Sequence, residues 1–144
     1  MKLAFELALK SQDIQEVPVG AIIVQNRQLI VGSGYNYRET SKNSLYHAEI
    51  LAINNACKFL NSWRLVNCEI FVTLEPCSMC AGAIINSRLA SVIYGASDPK
   101  NGAAGSVINL FEMKFTHRPK VYGNIMAEES SKLLSNFFKN LRNK

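Results

Sequence analysis

The sequence predicts a three-layer α/β/α sandwich in which a mixed sheet of about five strands lies between two layers of helices. Two observations predict it. Short apolar runs with strand character alternate with longer segments of helical periodicity, as in α/β proteins. The first two of these runs are separated by only a short turn, so they form an antiparallel hairpin and make the sheet mixed. With 144 residues, we expect one domain spanning 1–144.

The first part of the chain predicts a helix followed by the hairpin. Leu3 and Leu7 recur at helical spacing, with further apolar residues beside them. The apolar run at 19–24 is typical of a buried strand. A turn at Asn26–Arg27 then leads into a second strand at 29–34.

The middle of the chain predicts a loop, two helices and a strand. A polar loop spans 36–46, and helical spacing of apolar residues runs from about 47 to 60. The run at 69–74 is the third strand. Pro76 suits the first position of the next helix, where its missing N–H costs nothing, and that helix continues to about Ser87.

The last third predicts two strands and a terminal helix. The fourth strand is at 91–95, and a Gly/Ala-rich loop spans 99–106. A short fifth strand at 121–125 precedes a helix at about 127–141, which carries apolar residues at helical spacing.

Composition narrows the class of protein. Hydrophobic residues make up 48% and charged residues 19%, which is ordinary for a globular protein. Apolar runs fall far short of the roughly 20 residues that span a bilayer, and no signal peptide is indicated, so we expect a cytoplasmic protein and no membrane partner. Its four cysteines would then be reduced. The net charge of +5 slightly favours a polyanionic partner, although many proteins with small substrates are as basic.

Two short motifs supply a set of zinc ligands and an acid. They are His47-Ala48-Glu49 and Pro76-Cys77-Ser78-Met79-Cys80. A structural zinc site uses four protein ligands, whereas a catalytic site keeps one position open for water. Three ligands, His47, Cys77 and Cys80, with the carboxylate of Glu49 nearby, therefore predict a catalytic centre. The order H-x-E…P-C-x-x-C is typical of zinc deaminases.

Helix geometry constrains how these side chains meet. Cys77 and Cys80 are three residues apart and would share a helix face. His47 and Glu49 are two apart and would diverge in mid-helix, so both reach one centre only at the N-terminal edge of their helix. A lone C-x-x-C is compatible with a redox pair or half of a structural zinc site, but a structural zinc module has no use for Glu49.

The other two cysteines lie too far away to complete a tetrahedron. Cys57 is ten residues beyond His47, about 15 Å along the same helix. Cys68 begins the third strand, on the order of 20 Å from Cys77. Both are interpreted as small buried hydrophobic residues.

Several stretches, two of which contain the zinc motifs, resemble bacterial tRNA-specific adenosine deaminases, a branch of the cytidine-deaminase-like superfamily. They are distributed over nearly the whole chain, at 16–21, 47–50, 72–84, 102–106 and 133–138. The Gly-Ala-Ala-Gly-Ser loop at 102–106 and the Phe137-Phe138 pair point to the tRNA branch. The resemblance implies deamination of the wobble adenosine to inosine, one Zn²⁺ per protomer, a tRNA anticodon stem-loop as partner, no DNA, and a homodimer with the helix after Cys77 in its interface.

The resemblance also implies roles for individual residues near the metal. His47, Cys77 and Cys80 correspond to the zinc ligands, and Glu49 to the proton shuttle. Asn36 resembles an asparagine that hydrogen-bonds the target base, although an asparagine that caps a loop is the alternative.

Other residues resemble the substrate contacts of this family. Asp98 and Lys100 resemble residues that line the nucleotide path, with a solvated turn as the alternative. Phe137 and Phe138 resemble a pair in which one ring packs inward and Phe138 meets the RNA, whereas two adjacent phenylalanines more often serve core and interface. The same helix carries basic residues, which are Lys132, Lys139, Arg142 and Lys144.

One segment departs from the superfamily. Asn43-Ser44-Leu45-Tyr46 stands where Asp-Pro-Thr-Ala usually precedes His-Ala-Glu. The ligand set is unchanged, so the chemistry stands. Two rival functions stay open at this point: deamination of a free base, nucleoside or nucleotide (cytidine, deoxycytidylate or guanine), and an RNA-binding module with an inert zinc.

Overall fold

The structure, a computed structural model, describes residues 1–143. Within them the helices are α1 (Lys2–Asp13), α2 (Arg38–Ser41), α3 (Ala48–Leu60), α4 (Ser78–Asn86) and α5 (Ala127–Arg142). The strands are β1 (Gly20–Gln25), β2 (Leu29–Tyr35), β3 (Cys68–Leu74), β4 (Ser91–Ala96) and β5 (Lys120–Tyr122). A 3-10 turn lies at Leu110–Glu112.

The strands form one mixed sheet in the order β2-β1-β3-β4-β5. The β1 strand is antiparallel to both β2 and β3, whereas β3, β4 and β5 are parallel. The predicted sheet of five strands with an N-terminal hairpin is therefore confirmed. Because β3 and β4 run parallel, α4 connects them as a crossover helix.

Helices cover both faces of this sheet. A Cβ at Gly32 or Gly34 of β2 would collide with the backbone of α3, so these glycines allow α3 to lie directly on the strand. Gly20 of β1 points to the other face, where it contacts α1. Gly95 of β4 points to that second face too and contacts Ser130 of α5. The three-layer α/β/α arrangement is as predicted.

The core lies between the sheet and the α3–α4 layer. Its sheet side is fully buried and consists largely of β-branched residues, among them Ile23, Ile70, Val72 and Val92. Small side chains of α3 bring the helix close, and Ile84 of α4 fills the adjoining space. Burying each large aliphatic side chain contributes about 1.5–3 kcal/mol, so this layer holds α3 and α4 firmly on the sheet.

Two predicted boundaries were wrong because backbone pairing between distant segments overrides local pattern. Pro76 does not begin a helix: its carbonyl accepts a hydrogen bond from the Ala103 N–H at 2.8 Å, and Cys77 is extended and bridges to Gly102. Consequently α4 begins only at Ser78. Likewise β5 covers 120–122 rather than 121–125, because Asn124 adopts a positive φ that turns the chain away.

Two short helical turns were not predicted. The segment interpreted as a polar loop contains α2, and the loop before β5 contains the 3-10 turn. Neither has an apolar face long enough to produce a periodic pattern. Across residues 1–143, we find no helix that is both long and apolar enough to cross a membrane.

Candidate metal centre

His47 and Glu49 lie at the N-terminal edge of α3, as predicted. His47 is the N-cap residue and has an extended backbone, and Glu49 lies in the first turn. The side chain of Asn36, which follows β2, accepts a hydrogen bond from the Ala48 N–H at 3.1 Å. This bond satisfies one of the free N–H groups of the helix terminus and fixes His47 beside the end of β2.

Cys77 and Cys80 lie where β3 passes into α4. Cys77 is the N-cap residue, and Cys80 is buried three residues later in the first turn. A helix N-terminus favours negative charge, so this position suits thiolates.

The three side chains meet at one point. The Sγ atoms of Cys77 and Cys80 lie 3.7 and 3.6 Å from Nδ1 of His47. All three ligand atoms lie within 4.8 Å of one another. A nitrogen and a sulfur held tetrahedrally at zinc bond lengths would be separated by about 3.6 Å. Donor set and spacing therefore fit a zinc ion with one position left open.

Without a cation, the electrostatics of the three ligands shift only Cys77 toward the thiolate form that binds metal. A hydrogen bond from Cys80 is the largest of several effects that lower the pKa of the Cys77 thiol to about 4, and His47 also lowers it. The hydrogen bond with Cys77 raises the pKa of His47. The same bond, together with burial, raises the pKa of Cys80. A cation would stabilise both sulfurs as thiolates.

Glu49 is a buried acid beside these ligands. It is only 4% exposed. Burial, with a smaller contribution from the negative charge of Cys77, raises the pKa of its carboxyl to about 7, although His47 and Cys80 act in the opposite direction. A carboxyl with a pKa near neutrality can both accept and donate a proton, which is what acid–base catalysis requires.

The remaining predicted contact residues lie on the loop after β4 and on α5, outside the ligand cluster. Asp98 and Lys100 lie in the loop that follows β4; the Asp98 carboxylate accepts hydrogen bonds from the backbone N–H groups of Lys100 and Asn101, and Lys100 is exposed. On α5, Phe137 is 7% and Phe138 44% exposed, so one ring packs inward and the other faces outward. Lys144 lies outside the described residues.

Sequence reasoning missed two buried carboxylates, Glu16 and Glu75. Each is 2% exposed and accepts hydrogen bonds from the backbone of a loop 23 to 31 residues away. The signal for Glu75 is an acidic residue directly after an apolar strand, whereas Glu16 follows polar residues and carries no such signal. A buried acid needs such partners, because an unpaired charge is costly in the interior.

The loop around α2 depends on Glu16. Its Oε1 accepts a hydrogen bond from the Thr40 N–H at 2.6 Å. Burial alone would raise the pKa of Glu16, but hydrogen bonds from Thr40, Glu39 and Arg38 outweigh it and hold the pKa below 4.5. The ionised carboxylate thus fixes the start of the segment that leads to His47.

Glu16→Gln is expected to lower the free energy of unfolding at neutral pH. It should also make that free energy fall less steeply as the pH is lowered. A folded pKa below the unfolded value gives stability that is present above the unfolded pKa and is lost as pH falls through the folded pKa. Urea unfolding measured from pH 7 down to about pH 3 should show the curves of wild type and variant converging at the acid end. Glu6→Gln, a change at an exposed glutamate, is the control. Parallel curves for wild type and Glu16→Gln would contradict this role.

Comparison with known proteins agrees with the motifs and the fold. The family model described as MafB19-like deaminase matches residues 1–142. The tRNA-specific adenosine deaminase of Rickettsia bellii is 50% identical over 141 residues, covering 94% of this chain and 97% of the relative. That of Bacillus subtilis is 46% identical over 145 residues, covering 100% of this chain and 89% of the relative.

A solved structure from a study of A-to-I editing by tRNA:A34 deaminases at the wobble position of transfer RNA superimposes with a TM-score of 0.89. It is 37% identical and covers 93% of this chain and 97% of its own. The resemblance seen in the zinc motifs, the 102–106 loop and the Phe137-Phe138 helix is thereby confirmed over nearly the full length. The chain belongs to the tRNA-specific adenosine deaminase family.

Proposed function

We propose that residues 1–144 form one zinc-dependent hydrolase domain that converts adenosine to inosine at the wobble position of a tRNA anticodon. The observation that carries the proposal is the convergence of His47, Cys77 and Cys80 beside the buried acid Glu49. The family to which the chain belongs supports the choice of substrate.

His47, Cys77 and Cys80 would hold one Zn²⁺ per protomer. When bound, such an ion lowers the pKa of a coordinated water to about 7 and so supplies a nucleophile at neutral pH. The protein contributes the open position, because no fourth cysteine or histidine joins the ligand cluster among residues 1–143.

Glu49 would move the protons of the reaction. Its carboxylate accepts a proton from the attacking water, delivers it to N1 of the purine, and serves again when the 6-amino group leaves as ammonia. The balance is adenosine plus water to inosine plus ammonia. A pKa near 7 suits both directions of transfer.

Asn36 would orient the base. Its Oδ1 is engaged with the Ala48 N–H, so the side-chain NH₂ is the group that can donate to the purine. The cap and the base contact are therefore compatible roles of one side chain. A base must leave its stack to enter such a site, which favours a single-stranded anticodon loop.

Phe138 and the exposed basic residues of α5 would bind the RNA outside the catalytic centre. An exposed aromatic ring gains about 1–3 kcal/mol by stacking on a single-stranded base. Lys139 and Arg142 lie in the last turn of the same helix. Phosphate contacts of this kind make binding sensitive to salt.

Phe138→Ala is expected to raise the Michaelis constant for an anticodon stem-loop by about 5- to 100-fold while the zinc content and the melting temperature stay close to wild type. Steady-state kinetics check this. Phe137→Ala is the matched variant: its ring is buried, so its main effect should be lower stability. Unchanged kinetics in a folded Phe138→Ala protein would remove Phe138 as an RNA contact.

We also propose a cytoplasmic homodimer in which α4 lies at the interface. Met79, Gly82 and Ala83 of α4 are half-buried, and a Cβ at Gly82 would meet open space. That leaves a small, flat helix surface free for a second copy.

The substrate assignment is tested by measuring ammonia release from an anticodon stem-loop, free adenosine, cytidine, deoxycytidylate and guanine. We expect turnover of the stem-loop to exceed that of each free compound by orders of magnitude. Efficient deamination of a free base, nucleoside or nucleotide with no activity on the stem-loop would establish the rival function. A protein that binds the stem-loop but releases no ammonia would be an RNA-binding module.

A further inference from the structure

Glu75 stands between the end of β3 and the metal ligand Cys77, and its carboxyl group is buried. Both carboxylate oxygens are fully engaged with one loop. Oε1 accepts hydrogen bonds from the N–H groups of Ala104 (3.0 Å) and Ser106 (3.1 Å). Oε2 accepts from the Asp98 N–H at 2.9 Å and from the Ser106 hydroxyl.

The loop that Glu75 binds, residues 97–106, contains neither helix nor strand. Most of its side chains are exposed, and its apolar packing is limited to Ala103, which is buried in the core, and Ala104 beside it. Gly102 passes so close to the carboxyl group that a Cβ there would collide with it. The carboxylate satisfies the backbone N–H groups of Asp98, Ala104 and Ser106, and backbone bonds such as Gly102 N–H to Asp98 C=O satisfy others.

The same loop also contacts the metal segment directly. The Ala103 N–H donates to the Pro76 carbonyl at 2.8 Å, and Gly102 bridges to Cys77. Asp98, whose N–H is held by Glu75, in turn fixes the turn that carries Lys100 through its own carboxylate. Glu75 is thus linked to the metal segment by the chain and to Asp98 and Lys100 by hydrogen bonds.

We propose that Glu75 is a positioning residue: its buried carboxylate fixes loop 97–106 beside the segment that carries Cys77, and thereby orients Asp98 and Lys100 for contact with the substrate. The inference rests on the proposed function for the identity of the substrate. Glu75 itself makes no contact with substrate in this account and takes no part in proton transfer.

The chemistry of the contacts requires a carboxylate rather than an amide. All four partners are donors, and a glutamine would direct its NH₂ group at one pair of them. Glu75→Gln keeps the volume of the side chain but leaves at least one backbone N–H of that pair unsatisfied, in a place where charge-assisted hydrogen bonds are the strong ones. The loop should then sample other conformations while β3 and α4 remain in place.

The experiment compares Glu75→Gln with two other variants of the full chain. Ser106→Ala removes the hydroxyl that donates to Glu75. Because Ser106 is exposed, this variant tests the same contact if Glu75→Gln fails to fold. Thr73→Val is the matched control: Thr73 is also buried and accepts one hydrogen bond, from the Gly20 N–H, but does not contact the loop. Each protein is assayed for zinc content, melting temperature, amide hydrogen exchange, and kcat and KM on an anticodon stem-loop.

We expect Glu75→Gln to bind zinc, to lose exchange protection at Ala104 and Ser106, and to show a KM raised about tenfold with a smaller change in kcat. Ser106→Ala should show a smaller loss of exchange protection and a smaller rise in KM. Thr73→Val should melt earlier with KM unchanged. In the Lys100→Ala background, Glu75→Gln should have little further effect on KM, because the group it positions is already absent.

Other results overturn the inference. Unchanged exchange protection in Glu75→Gln and Ser106→Ala would show that the carboxylate does not fix the loop. Lost protection with an unchanged KM, or a KM that rises equally in Thr73→Val, would reduce Glu75 to a stabiliser of the fold. A wild-type protein inactive on the stem-loop would overturn the proposed function instead, and the exchange data would still decide whether Glu75 orders the loop.

Discussion

Glu49→Gln is expected to lower turnover of a tRNA anticodon stem-loop by about 10²–10⁴-fold or more, while the fold and the zinc content remain those of the wild type. General acid–base groups contribute that much to a single proton transfer, and here one carboxyl serves several. Glutamine preserves the volume of a side chain that is almost completely buried, so the loss would reflect chemistry rather than packing.

Single-turnover kinetics with the zinc content measured on the same preparation separate these effects. Glu6→Gln is the control, since Glu6 is an exposed glutamate of α1. Its replacement should change neither the turnover nor the zinc content. If Glu49→Gln retained more than about a tenth of the wild-type rate, a different residue would have to move the proton.

Cys80→Ala is expected to abolish zinc binding and activity together and to lower the melting temperature. Losing one of only three protein ligands leaves a site that cannot hold the ion, and metal binding is coupled to folding. Metal analysis after dialysis against a weak chelator, with thermal unfolding, measures both effects.

Cys68→Ala provides a matched comparison because Cys68 is as fully buried as Cys80 but begins β3, away from the ligand cluster. It should be somewhat less stable and bind zinc fully. Full zinc occupancy in Cys80→Ala, or loss of zinc in Cys68→Ala, would contradict the proposed ligand set.

Much of the fold could be predicted because hydrophobic periodicity reports directly on burial. The runs at 19–24 and 69–74 are buried strands since they lie in the interior of a sheet covered on both faces. The predicted ends of helices and strands were wrong where a contact with a segment distant in sequence determines them. Pro76 is locally suited to start a helix, but its pairing with Ala103 keeps it extended.

The candidate centre was accessible from sequence because its chemistry is local. His47 and Glu49 sit in one motif, and Cys77 and Cys80 in another, so spacing alone restricts their geometry. The contacts that hold the neighbouring loops could not be predicted from the sequence. Glu16 and Glu75 act on backbone N–H groups of residues such as Thr40 and Ala104, which carry no side-chain signature of the contact.

We expect this chain to deaminate the wobble adenosine of a tRNA anticodon loop and no other adenosine of that loop. The most direct test incubates the zinc-loaded protein with two stem-loops, one with adenosine at the wobble position and one in which that adenosine is moved elsewhere in the loop, and maps inosine in each by mass spectrometry. We expect inosine at the wobble position of the first stem-loop and none in the second, with the signal lost in Glu49→Gln. Inosine in neither stem-loop, or equally in both, would contradict it.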